Sequence, residues 1–428
     1  MIVFSHPTCN ANAREAALGL EEDGLLEEFW TCVGWSPEWE INAVIPKPAR
    51  TLLMRRSLPE SIRKRAHYLP GREIGRLICG RYGILWPMRH ETGVFSVDAV
   101  YQSLDRKVAS RLTHLTGLSA VYAFEDGAES TFSEAKRRGM SCIYDLPIGY
   151  WRSAQSIYEE EADREPEWAT TLTGRFDSAH KLARKEREIE MANVVVVASS
   201  FTKQTLKVGS HSDKQVEVLA YGSPAPVDDS RIQPIGRRSR VLFVGSLGQR
   251  KGISYLLRAM QLVGSNAELT LIGRKTQTDC LILNEGIRPH RWIPSLSHDG
   301  ILAEMRNHDI LVFPSLFEGF GLVILEAMSQ GVPVITTPNT AGPDIIEDGV
   351  DGFIVPIRSA ESIAARIDQL CTDHQRLLQM KHAAREKALT YSWQRYRRSL
   401  AFTLRRFLEG GAASLKLESR RQIASTGE

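Results

Sequence analysis

Along the chain, short runs of uninterrupted apolar residues alternate with stretches in which apolar positions recur at a helical period. In the first half the runs are Ile2–Ser5, Ala120–Phe124, Cys142–Tyr144, Val194–Ala198 and Val216–Leu219. In the second half they are Val241–Val244, Leu269–Ile272, Ile310–Phe313, Val332–Thr336 and Phe353–Val355. Each ends in Gly, Pro or a small polar residue. Strands that are apolar on both faces belong to parallel sheets covered by helices. Two successive sets predict an α/β chain of two doubly wound parallel-sheet domains facing a central cleft.

The segment from Tyr221 to Arg240 is rich in Pro, Gly and charge and has neither period, which predicts a linker. The expected division is a first domain over residues 1–222, a linker over 223–240 and a second domain over 241–385. Ala360–Leu370 reads as a helix, and Gln375–Leu408 as one or two more. Residues 409–428, rich in Gly, Ala, Ser and Arg, are expected to form a flexible tail.

A formal charge of +3 names no partner, and no stretch approaches the 18 apolar residues of a membrane span. The first residues lack the basic, then apolar, order of a signal peptide. Cys9, Cys32, Cys79, Cys142, Cys280 and Cys371 are scattered, which fits reduced thiols in the cytoplasm. One segment is locally basic: Lys47, Arg50, Arg55, Arg56, Arg63, Lys64, Arg65, Arg72, Arg76 and Arg81 face only Glu60 and Glu73. Leu52, Leu53, Met54, Tyr68, Leu69 and Ile74 are interleaved. Two readings stay open: a solvated surface, or a face for an anionic acceptor or an anionic membrane surface, which would make the protein peripheral on the inner face of the membrane. No nucleic-acid motif is present, so no nucleic-acid partner is expected.

Candidate chemistry concentrates in two strand–loop–helix segments. In the first, the run ending in VFPS (312–315) leads into EGFGLVILE (318–326). Gly319 and Gly321 permit close backbone approach and leave amides for an anion at a helix start. Glu326 lies among apolar neighbours, so it is expected to be buried and paired. If the helix ran through both carboxylates, Glu318 and Glu326 would stand about 12 Å apart on one side of it. In the second segment, VGSLGQRKG (244–252), Arg250 and Lys251 open a helix against its dipole. A diphosphate would relieve that conflict.

These residues, with GVPVI (331–335) and AGPDIIEDGVDG (341–352), resemble the retaining, nucleotide-sugar-dependent glycosyltransferases of family 4, whose GT-B fold pairs two Rossmann-like domains. The resemblance is strong over about residues 240–370 and looser before. It implies a metal-independent hexosyltransferase, without cofactor, that moves a sugar from a nucleotide diphosphate donor to a carbohydrate or lipid-linked acceptor, in polysaccharide or glycolipid synthesis. It implies that Glu326 holds the ribose and Glu318 the donor sugar, beside the amides of Gly319, Phe320 and Gly321. Lys251 would bind the diphosphate as it leaves. The family's Arg after the strand glycine Gly245 is Ser246 here, and Arg250 is expected to supply that charge. Gly273, Arg274, Trp292, Ile293 and Pro294 fall where relatives contact the base, although Trp292 also suits a core position. Residues 386–408, with Tyr391-Ser-Trp393, resemble the helix that crosses back to the first domain.

The first domain should bind the acceptor. Its first strand runs into HPTCNANAR (6–14), where Asn10 and Asn12 replace the family's glycines and suit a left-handed loop. His6 is a lesser candidate. Glu125 ends one strand. Tyr144-Asp145 ends the next, with Tyr144 in place of the family's histidine and Asp145 as its acid. The charged run Arg184–Glu188 reads as a solvated helix face. Neither a DxD nor a His/Asp cluster at ligand spacing occurs, so no metal is expected. Two other functions fit the same motifs: a nucleotide-sugar epimerase, and a non-catalytic binding protein that kept the fold.

Overall fold

The computed structural model describes residues 1–40, 45, 50, 53–209, 211–232 and 238–425, with side chains beyond 410 left aside. Lys47 and Leu52 of the basic segment, part of the linker and the last residues of the tail lie outside the described residues.

The first sheet contains β1 (Ile2–Ser5), β2 (Leu26–Thr31), β3 (Ala66–Tyr68), β4 (Ala120–Phe124), β5 (Ser141–Leu146), β6 (Val194–Val197) and β7 (Gln215–Val218). Their order is β3-β2-β1-β4-β5-β6-β7. The second contains β8 (Ser239–Val244), β9 (Ala267–Ile272), β10 (Arg291–Ile293), β11 (Ile310–Phe313), β12 (Val334–Thr336) and β13 (Gly352–Ile354), in the order β10-β9-β8-β11-β12-β13. Neighbours pair parallel throughout both sheets. Every residue of β1, β4, β6, β11 and β12 is buried, as two-sided coverage requires. Strand order reverses beside β1 and beside β8, so ligand crevices are expected at the carboxyl ends of β1/β4 and β8/β11.

Nine helices carry the account below: α1 (Ala11–Glu22), α2 (Gly71–Tyr82), α3 (Val97–Leu112), α4 (Trp151–Arg164), α5 (Ala179–Met191), α6 (Ile253–Val263), α7 (Leu322–Ser329), α8 (His374–Leu389) and α9 (Trp393–Ser425). Helix α9 continues past residue 408, where the sequence suggests a tail. It lies along α1, with Arg397 bonded to Glu15 at 2.9 Å and Arg405 to Asp23 at 2.6 Å. The backbones nearly touch at Gly19, where a Cβ would sit 2.8 Å from the Arg397 carbonyl oxygen. Trp393 packs near Tyr221 and Tyr396. The linker region holds the single turn Asp229–Arg231 and gives way to β8 already at Ser239.

The two halves share polar contacts. Glu161 of α4 is fully buried and accepts from the Gln249 amide (2.7 Å), the Tyr255 hydroxyl (2.9 Å) and the Arg358 guanidinium (2.7 Å). The Gly319 carbonyl accepts from the hydroxyls of Ser199 and of Thr202, the latter at 2.9 Å. A Cβ on Gly319 would lie 1.9 Å from the Pro147 oxygen, so only glycine lets this loop approach the first half.

Candidate functional site

At the carboxyl ends of β8 and β11, Arg250, Lys251 and Glu318 converge. The Arg250 guanidinium donates to the Phe317 carbonyl at 3.0 Å and to the Glu318 carboxylate at 3.2 Å. Lys251 is buried, contacts the same carboxylate oxygen, and holds its ammonium 4.6 Å from the centre of the Phe313 ring. Burial, and then the Arg250 charge, pull the Lys251 ammonium well below the usual lysine range. Two cations thus share one carboxylate. Both lie within a single turn, Gln249–Lys251, that precedes α6, so Glu318 occupies the side on which the sequence places an anion.

Glu318 precedes α7 in a loop that ends at Gly321, whose φ of 85° is left-handed. The 12 Å helical spacing between Glu318 and Glu326 therefore does not apply, because no helix joins them. Glu326 lies within α7 and is partly exposed rather than buried. Its oxygen is 3.6 Å from His298 Nδ1. Burial raises its pKa, and His298 opposes the rise. Phe320 is buried with its ring 5.0 Å from Tyr221, as part of the joint between the halves.

Gly245, Gly273 and Ile293 lie in a row at the ends of β8, β9 and β10: Gly245 N–H donates to Ile272 at 2.9 Å, and Gly273 N–H to Ile293 at 2.9 Å. Ser246 beside them is exposed. Trp292 is 37% exposed, which removes the core reading. Its indole N–H donates to the Gly273 carbonyl at 2.9 Å, and the Lys275 ammonium stands 4.3 Å from its ring centre.

The acceptor-side candidates separate. Asn10 is the N-cap of α1, accepting from Ala13 N–H at 2.9 Å, with an extended backbone (φ −65°) instead of the left-handed one expected. The left-handed residue is Cys9, at φ 46°. Asn12 follows inside α1, where its Oδ1 is buried and lacks a hydrogen-bond partner among the described residues. His6 is structural: its Nδ1 accepts from the amides of Thr8 (3.2 Å) and Cys9 (2.9 Å), and burial pulls its pKa down to about 3.

The Asp145 side chain does not join that of Glu125, although the Glu125 N–H donates to the Asp145 carbonyl at 3.2 Å. Adjacent positions on a strand face opposite ways. Tyr144 points to Glu188 (3.2 Å), while Asp145 accepts from the Tyr122 hydroxyl (2.6 Å). Burial pushes the Asp145 pKa up to about 7, against the Tyr122 hydrogen bond. Asp145 is 2% exposed, so it is a core acid and not an open acceptor group.

Glu125 instead belongs to an ionic network that sequence reasoning missed. Lys185 contacts Glu125 (3.4 Å), Asp126 (3.8 Å) and Asp177 (3.5 Å). Arg184 bridges Asp98 (3.1 Å) and Asp126 (2.8 Å), and Lys181 reaches Asp98 (3.3 Å) and Asp177 (3.0 Å). Part of the run read as solvated, Arg184, Lys185 and Glu188, therefore turns inward on α5, while Arg187 stays exposed. The inward spacing, Lys181, Arg184, Lys185 and Glu188, was the available signal. Burial opposes the Lys185 charge, but Glu125, Asp126 and Asp177 outweigh it and raise its pKa. Burial raises Glu188 to about 8. Tyr158 is buried with its ring 5.9 Å from that of Phe317 in the other half; burial pushes its pKa up to about 12, and the charges of Arg250 and Lys185 act against that rise.

His90, Glu91 and Asp177 bring three ligand-type atoms within 4.8 Å of one another, a grouping hidden by the distance between them in sequence. Their oxygens already have partners: Ser178 donates N–H and O–H to Glu91, and Lys181 shares the Asp177 oxygen. All six cysteines are free, and five are buried. The basic segment is not one open face. Arg56 (2.5 Å) and Arg76 (2.7 Å) converge on the fully buried Glu73, and Arg63 pairs with Glu38 (3.1 Å).

Comparison with known proteins agrees with this architecture. Residues 228–387 match the family model described as glycosyl transferases group 1. An uncharacterized glycosyltransferase of Methanocaldococcus jannaschii is 30% identical over 48% of this chain and 57% of its own. Glycogen synthase of Mycobacterium tuberculosis is 24% identical over 59% of this chain and 61% of its own. The chain thus spans less than two thirds of these curated relatives. Among solved structures, sucrose-phosphate synthase of Thermosynechococcus elongatus superposes with a TM-score of 0.65 at 16% identity, covering 96% of this chain and 99% of that one. Anabaena HepE, solved with UDP and glucose, gives 0.61 at 16% identity, covering 94% and 98%. The chain therefore has the GT-B fold and carries a glycosyl transferases group 1 domain over residues 228–387.

Proposed function

We propose that the protein is a retaining, metal-independent hexosyltransferase of family 4 that takes a nucleotide diphosphate sugar. Residues 1–222 bind the acceptor, residues 241–385 bind the donor, and residues 386–408 return to the first domain. The convergence of Arg250 and Lys251 on one carboxylate at the β8/β11 crevice carries this reading. A donor diphosphate takes over the two cations, and Glu318 turns to the sugar hydroxyls. Glu326 holds the ribose, and the row Gly245, Ser246, Gly273 and Ile293 lies along the nucleoside. Supporting relatives include the capsular polysaccharide biosynthesis glycosyltransferase CapM of Staphylococcus aureus, 25% identical over 46% of this chain. The complex of HepE with UDP and glucose makes UDP-glucose the first donor to test.

In the transfer, the acceptor oxygen bonds the anomeric carbon as the bond from that carbon to the diphosphate breaks. The acceptor proton passes to the departing phosphate on the same face. Arg250 and Lys251 stabilise the charge that develops there, which is the electrostatic contribution a buried cation makes best. On the first half, Glu125 and Lys185, largely buried and paired at 3.4 Å, support the acceptor side from beneath instead of contacting the acceptor directly. The test is turnover of UDP-glucose, and then of other nucleotide sugars, with a glycan or glycolipid acceptor in excess EDTA. Lys251→Ala is expected to lower turnover by about 100-fold or more, with the melting temperature little changed. Unchanged turnover refutes the phosphate role, and turnover abolished by EDTA refutes metal independence.

A further inference from the structure

The outward face of α2 inverts the usual arrangement, in which a surface helix turns its apolar stripe inward. Glu73, on its inner side, is fully buried between Arg56 and Arg76. Ile74, Ile78 and Tyr82, at i, i+4 and i+8, form an outer apolar stripe, with Ile78 51% and Tyr82 75% exposed. The helix stops at Gly83, which is left-handed (φ 68°), and the chain continues through Ile84, Leu85 and Trp86. Leu85 is 70% exposed and Trp86 69%. A contiguous apolar patch of this kind calls for a partner.

Charge identifies the partner. Arg81 and Arg89 flank the patch, are exposed, and form no ion pair among the described residues. Arg72 donates to the Val94 carbonyl at 2.7 Å and has no carboxylate either. The one acid between residues 68 and 89, Glu73, is already doubly paired. Apolar and aromatic side chains ringed by unopposed arginines suit the interface of an anionic bilayer, where Trp and Tyr sit at headgroup level. The patch also ends beside the α5 ionic network: His90 reaches Asp177 at 3.0 Å, and Asp177 contacts Lys185.

We propose that the surface formed by α2 and residues 84–89 docks on an anionic membrane, with Ile78, Tyr82, Leu85 and Trp86 entering the interface and Arg72, Arg81 and Arg89 meeting anionic headgroups. The proposal stands on this surface alone and is independent of the donor reading. The test is sedimentation of the full chain with vesicles of phosphatidylcholine, alone or with about a third phosphatidylglycerol. Binding is expected to the mixed vesicles and to weaken with salt. Leu85→Ser with Trp86→Ser should lower partitioning at least about tenfold. Arg81→Gln with Arg89→Gln should lower it roughly thirtyfold. All four side chains are exposed, so the thermal melts should match wild type. Failure to sediment with mixed vesicles overturns the proposal, as does equal binding by wild type and variants. A dimer in light scattering that Leu85→Ser/Trp86→Ser dissolves, without vesicle binding, assigns the patch to a second copy and also overturns it.

Discussion

Asp145→Asn should make the protein more stable, and only above acid pH. Asp145 is buried on β5, with one side-chain donor, the Tyr122 hydroxyl at 2.6 Å, and no ion pair among the described residues. Its pKa rises from 3.8 to about 7. Between those values the native carboxyl keeps its proton while the unfolded one has lost it. The native state then binds more protons, so this group's contribution to stability falls as pH rises, and levels off above about pH 7. At about 1.4 kcal/mol per pH unit the fall amounts to at most about 4 kcal/mol. Asparagine keeps the shape and an acceptor for Tyr122 but cannot ionise. The variant should match wild type near pH 4 and exceed it by a few kcal/mol at pH 8. Calorimetric melts in buffers from pH 4 to 8 read this difference as a gap that widens with pH. A constant gap, or a variant less stable than wild type at pH 8, would mean that Asp145 is already ionised in the native protein well below pH 7. Turnover lost without any pH-dependent gap would restore it to the acceptor site.

The other expectations concern the joint and the first loop. Glu161→Ala leaves Gln249, Tyr255 and Arg358 without their shared acceptor and should cost about 3–5 kcal/mol in urea unfolding, with Glu161→Gln much milder. Gly319→Ala must push the loop away from Pro147 and should lower kcat about tenfold or more, with a smaller change in the nucleotide KM, as steady-state kinetics would show. His6→Ala strands the amides of Thr8 and Cys9, at a cost of about 2–3 kcal/mol. The His6 contribution to stability should fall as pH drops below 6.5, because His6 stays neutral when folded and is protonated when unfolded, so a pH series of melts should show the gap between wild type and variant narrowing toward acid.

The central strands were legible because they are apolar on both faces. β2 was not: Glu27 and Glu28 interrupt it, and Glu28 is held inside by Arg111 (2.6 Å) and the Trp30 indole (2.8 Å). β3 and β10 are three-residue edge strands, too short to leave a period. The Arg250, Lys251 and Glu318 group could be read from glycines placed just after strands. Asp145 could not, because the alternation along β5 is clear from sequence but not which face meets the cleft. The α5 network was hidden because its stripe has core spacing and charged residues, and its partners come from distant segments around Asp98, Asp126 and Asp177.

The Gly319 carbonyl has a consequence for protein engineering. The hydroxyls that donate to it belong to Ser199 and Thr202, so the loop between Glu318 and Gly321 takes its shape partly from the other half. A chimera joined at the linker would give this loop a foreign neighbour and should change donor preference even with the whole donor half conserved. Grafting residues 199–202 and Pro147 along with that half should restore it. The natural crossover for recombination is therefore a set of residues on both sides of the joint, not one point in the chain.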